Sequence, residues 1–108
     1  MQEYHSILES EEMDFLCDMI LTLKDREDCY RFFEDIFTIT EIKAAEQRLH
    51  VAKMLYEKKT YQEIAHKTGA STATISRVNR CLNYGSDGYK RVLERSKKWR
   101  EEPSYTRK

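Results

Sequence analysis

Proline and glycine are scarce in this chain: among 108 residues there is one proline, Pro103, and the glycines are Gly69, Gly85 and Gly88. With so few backbone breaks, and apolar residues recurring at helical spacing throughout, the sequence predicts an all-α protein. A run of about eighteen apolar residues is missing, so no spanning helix is expected. The N-terminus is acidic instead of basic-then-apolar, which argues against a secretory signal and for a cytoplasmic location. Cysteine is limited to Cys17, Cys29 and Cys81, an odd and widely spaced set that fits neither a disulfide framework nor a paired-cysteine zinc site. They are expected to be buried thiols. His5, His50 and His66 stand at no recognisable spacing from a nucleophile, and neither a glycine-rich phosphate loop nor a metal-ligand cluster occurs. The chain is therefore not read as an enzyme, and no cofactor or metal is expected.

Net charge is also zero, yet its distribution is uneven. Residues 1–46 hold 13 Asp or Glu and 4 Lys or Arg, a balance of −9, whereas residues 47–108 hold 6 and 15, a balance of +9. Such sorting suits a basic surface that meets a polyanion and an acidic part that stays away from it.

The basic half contains the most restrictive pattern, Thr60 to Val78. Thr60 and Glu63 form a capping box, in which two unpaired backbone donors are satisfied reciprocally. Ile64, Ala65 and Thr68 share a face of the short helix that follows. Gly69 supplies the positive φ of a sharp turn, and Ser71 restarts the chain as an N-cap. Ile75 and Val78, three apart, pack the second helix back onto the first. Thr72, Ala73, Thr74 and Ser76 remain exposed. Thr and Ser are poor helix formers but suit contacts in a DNA groove, so the stretch reads as a helix-turn-helix and not as an ordinary helical hairpin.

Upstream, residues 11 to about 24 carry Met13, Leu16, Cys17, Ile20 and Leu23 on one helical stripe. Residues 25–28 break and restart the chain. Tyr30, Phe32, Phe33, Ile36 and Phe37 then cover more than one face of a second helix, which a chain this small cannot bury alone; they are assigned to a dimer core. Thr38 and Glu41 open the longest helix, to about Lys58, with Ile42, Ala45, Leu49, Ala52, Leu55 and Tyr56 as its expected buried stripe. Lys58, Lys59, Thr60 and Gln62 are placed for DNA phosphates. After a turn at residues 84–88, Tyr89, Val92, Leu93 and Ser96 form the apolar side of a last helix. The organisation expected is one helical DNA-binding domain over residues 1–100, with dimer-core helices at 11–58, the helix-turn-helix at 60–83 and a C-terminal helix at 86–99. Residues 101–108 read as a flexible tail.

From Phe37 to about Asn83 the chain resembles the Trp repressor family, in particular its firmicute Trp-repressor-like branch. The anchors are Phe37-Thr38 and Glu41, Arg48, Glu63, Gly69-Ala70 and Ala73-Thr74-Ile75-Ser76-Arg77. The resemblance implies a multi-helical Trp repressor-like fold with a helix-turn-helix head, assembled as an intertwined homodimer that binds operator DNA. It further implies that Thr38, Arg48 and Arg77 surround an effector pocket, the two arginines sandwiching an indole in the founder of the family. Val78 stands where that founder has glycine, and Cys81 where it has serine. For Arg48 a salt bridge to a neighbouring helix competes with ligand binding, and for Arg77 a DNA phosphate does. The overfilled position 78 argues against tryptophan as effector, leaving a smaller amino acid or none. The function expected is sequence-specific DNA-binding regulation, with repression as the output and a pseudo-palindromic operator as partner. The competing function is a protein-interaction module that uses the helix-turn-helix for packing.

Overall fold

The computed structural model describes residues 4–100, with backbone alone at 97–100. Its regular elements are α1 (Glu11–Ile20), α2 (Arg26–Ile36), α3 (Ile39–Tyr56), α4 (Tyr61–Thr68), α5 (Thr72–Tyr84) and α6 (Gly88–Arg100), with no strand among the described residues. None of these helices is long and apolar enough to cross a membrane. The expected tail at 101–108 lies outside the described residues. The chain divides into two compact units, Met1–Ile39 and Thr40–Lys108.

In the N-terminal unit, each helix start is fixed by a side-chain cap. Ser10 accepts the Met13 N–H at 3.0 Å to open α1, and Asp25 accepts the Asp28 N–H at 2.9 Å to open α2. Residues 6–9 form a turn, in which the Ser6 hydroxyl takes the Leu8 N–H at 2.9 Å. One detail differs from the spacing-based reading. α1 stops at Ile20 and not near Lys24: the Thr22 hydroxyl and the Thr22 N–H both go to the Met19 carbonyl, at 2.6 and 3.1 Å, tightening the last turn. On and after α2, the Phe33 ring lies tilted to Phe32 and edge-to-face with Phe37, with ring centroids 6.2 and 5.7 Å away. No side chain of α1 or α2 is buried, and Phe15, Leu21 and Tyr30 are 65%, 80% and 54% exposed.

The cysteines correct the expectation of buried thiols. Cys17 and Cys81 are exposed and Cys29 is half-buried. The reason is positional: α1 buries nothing, and Cys81 lies off the α5 stripe of Ile75, Val78 and Leu82 that does face the core.

The C-terminal unit holds the core. Val51 and Ala52 of α3, Ile64 of α4, Ala70, Ile75 and Val78 of the second motif helix and its lead-in, and Leu93 of α6 form one buried cluster, with Met54, Leu55, Tyr56, Ala65 and Tyr89 packed around it. α3 is apolar on two sides, and the stripe read from the sequence is only one of them. Ala45 and Leu49 are exposed, whereas Val51, on the other side, is fully buried. Val92 of α6 is likewise half exposed.

α3 ends in a tight reversal. The Lys59 N–H reaches the Met54 carbonyl and the Lys58 N–H the Leu55 carbonyl, both at 3.0 Å, with Lys58 left-handed at φ 67°. This is the paired 6→1 and 5→2 bonding of a Schellman motif, whose left-handed position glycine normally fills. A lysine there costs roughly 1 kcal/mol.

Candidate nucleic-acid interface

Local chemistry builds the head as its sequence predicts. The Thr60 hydroxyl accepts the Glu63 N–H at 3.1 Å while the Glu63 carboxylate accepts the Thr60 N–H at 3.0 Å. Those bonds, the backbone one first, and the nearby Lys59 ammonium hold the Glu63 carboxyl below its ordinary pKa. Gly69 is left-handed at φ 74° and closes α4 through its N–H to the Ala65 carbonyl. Ser71 caps α5 by accepting the Thr74 N–H at 3.1 Å. Thr68 adds bonds that the pattern did not reveal: its hydroxyl donates to the Ile64 carbonyl and accepts the Ala70 N–H, stitching the turn.

Packing then decides what faces outward. Ile75, Val78 and Leu82 turn one side of α5 inward. Thr72, Ala73 and Ser76 are exposed on the other side, as are Lys58, Lys59, Thr60 and Gln62 ahead of and within α4. Thr74 is half-buried, and its hydroxyl oxygen accepts from Ser71 at 3.1 Å, so it is partly committed to the cap. Arg80 is a residue that the sequence-based assignment passes over. Spaced four and eight residues from Ser76 and Thr72, it continues their exposed stripe. The i, i+4, i+8 spacing was the available signal.

The residues of the expected effector pocket take different environments. Arg48, Arg77 and Cys81 are exposed, and neither arginine makes an ion pair within the described residues of the single chain. Val78 is 1% exposed inside the core. Thr38 belongs to the N-terminal unit and is exposed. On another side of the C-terminal unit, the Tyr56 hydroxyl donates to the Glu94 carboxylate, tying α3 to α6; that bond holds the phenol above its ordinary pKa.

Charge completes the site. The unit carrying the head, residues 40–108, has 16 Lys or Arg and 8 Asp or Glu, whereas residues 1–39 have 3 and 11. A capped two-helix motif that turns a polar reading helix outward from a basic unit defines a DNA-binding protein of the helix-turn-helix class. Residues 11–97 match the family model described as Trp repressor protein. The YerC protein of Bacillus subtilis (strain 168) is 57% identical over 97 residues, which span 90% of this chain and 93% of that one. A solved TrpR-like protein from Eubacterium eligens ATCC 27750 superposes with a TM-score of 0.79 at 60% identity, covering 82% of this chain and 91% of its own. A solved Trp-repressor relative from Staphylococcus aureus gives 0.80 at 50% identity, covering 83% and 90%. The chain belongs to the Trp repressor family, a family of DNA-binding regulators.

Proposed function

We propose that this protein is a homodimeric transcriptional repressor that reads a pseudo-palindromic operator in the cytoplasm. The observation that carries this reading is the exposed polar stripe of α5, set opposite a fully buried Ile75 and Val78. Thr72, Ala73, Thr74 and Ser76 meet bases or the adjacent backbone, and Lys58, Lys59, Thr60 and Gln62 hold phosphates. Dimerisation covers Tyr30, Phe32, Phe33, Ile36 and Phe37, of which Tyr30, Ile36 and Phe37 are exposed in the single chain. Two such heads lie about 34 Å apart, one turn of the duplex.

Thr38, Arg48, Arg77, Val78 and Cys81 outline the effector pocket in this reading. The effector is a small amino acid other than tryptophan, or there is none. Val78 supports the exclusion of tryptophan, since its side chain is committed to the core and is not free to move aside for an indole. Selection of duplexes from a random pool tests the whole proposal: a palindromic consensus with a steep salt dependence is expected. Failure of any sequence to enrich, with sedimentation showing a folded monomer, would leave a protein-interaction module instead.

A further inference from the structure

On the side of α5 away from Arg77 and Cys81, the C-terminal end of α3, the second half of α5 and the first turn of α6 border an open cleft of about 700 Å3. Leu55 and Leu82 give it an apolar lining, and Tyr56 adds a ring whose hydroxyl is already spent on Glu94. The remaining lining is Lys58, Lys59, Lys90, Asn79 and Asn83, with no carboxylate. Lys58 and Lys90 form no ion pair within the described residues. Asn83 Nδ2 donates to both the carbonyl and the side-chain oxygen of Asn79, at 3.0 and 3.1 Å. Asn79 thereby uses its oxygen within α5 and keeps its amide hydrogens to give.

The cleft therefore brings three lysines and the Asn79 amide to an apolar base, a set of donors that suits an anion. Its size falls in the range of small-molecule sites, about 300–1,000 Å3. Lys58 is also held in the left-handed conformation that favours glycine, and Asp87, the other non-glycine residue with positive φ among those described, immediately precedes the helix that carries Lys90. Of the two, Lys58 stands in the lining itself, and strain kept there fits a use for its side chain.

We propose that this cleft binds a small polyanion with an apolar body, of the class of phosphorylated metabolites, at a place separate from the pocket outlined by Arg48 and Arg77. Lys58 and Lys59 lead directly into the Thr60 cap of α4. A ligand that occupies them takes them from DNA phosphates, so binding of the two is mutually antagonistic by the same factor. Only that coupling rests on the DNA-binding reading; the cleft itself does not.

The test is titration of the full-length 15N-labelled protein with pyrophosphate, and in parallel with citrate, at constant ionic strength balanced by chloride. Saturable shifts confined to residues 55–59, 79–83 and 90 are expected, tighter for pyrophosphate than for citrate. Lys90→Gln should weaken pyrophosphate at least about tenfold while leaving affinity for a selected duplex and its salt slope unchanged. Citrate binding more tightly than pyrophosphate would overturn the phosphorylated class. Absence of saturation in the millimolar range would overturn the site. So would a Lys90→Gln variant that weakens every duplex with a shallower salt slope, because the cleft would then be a track for the DNA backbone. Since the ligand titration needs no DNA, loss of the operator reading alone would leave this result standing.

Discussion

The side-chain amide of Gln47 donates to the main-chain carbonyl of Thr68 at 3.2 Å, joining the middle of α3 to the last residue of α4 across 21 positions of sequence. A carbonyl at a helix end lacks an intrahelical donor, and here the longest helix supplies one. The bond sets the register of the reading head on its support.

Gln47→Ala is expected to cost about 1 kcal/mol, the usual net worth of a half-buried hydrogen bond. The loss should be local. Hydrogen exchange should accelerate in α4 and the turn at Gly69 more than in α1 or α2. Uniform acceleration across all helices would show that Gln47 acts on global stability and not on the head.

Two glycines should respond oppositely to alanine. A Cβ at Gly85 would lie 2.4 Å from the Cys81 carbonyl oxygen, whereas one at Gly88 meets nothing within 4 Å. Gly85→Ala should destabilise by about 1–3 kcal/mol through overpacking against backbone. Gly88→Ala should be neutral or stabilising by up to about 1 kcal/mol, since it restricts only the unfolded chain. Chemical denaturation midpoints decide between them.

Glu63 titrates below its ordinary value of 4.5 because its charged form accepts from the Thr60 backbone. A carboxyl with a depressed folded pKa contributes stability that is present above the unfolded value and is lost as pH falls through the folded one. α4 should therefore lose exchange protection below about pH 4.5. Glu63→Gln, which keeps an acceptor but no titration, should flatten that dependence. Carboxyl NMR should place the Glu63 pKa below the ordinary carboxylate value; a Glu63 that titrates at the ordinary value would mean that the bond from the Thr60 N–H is not its cause.

Val78 at 1% exposure is a core residue of the head. Val78→Ala should cost about 2–3 kcal/mol through reduced burial and cavity formation. Calorimetry on the unaltered protein should show no saturable heat with tryptophan. Binding at micromolar concentration, together with tryptophan-dependent DNA binding, would sink the exclusion of that effector.

On DNA, changes at Thr72 should alter the preferred sequence, because its exposed side chain lies in the first turn of α5. Lys59→Ala should weaken all duplexes alike and reduce the salt slope by about one for each phosphate it no longer neutralises. The reverse pattern in a binding-site selection would exchange their roles.

What the sequence determined by itself is whatever closes over three or four residues. The Thr60–Glu63 box, the left-handed Gly69, the Ser71 cap and the inward stripe of α5 all have partners within one or two turns, so spacing alone specifies them. The family resemblance was legible for the same reason, through the motif around Gly69. Tertiary structure decided what depends on neighbours far along the chain. α3 carries apolar residues on two sides, and only packing against α4, α5 and α6 selects Val51 for burial while Leu49 stays exposed. The Gln47–Thr68 bond spans 21 positions and has no local signature. The left-handed Lys58 has no glycine to announce it. The cleft beside it exists because three helix segments meet there, and periodicity along one helix cannot encode a space shared by three.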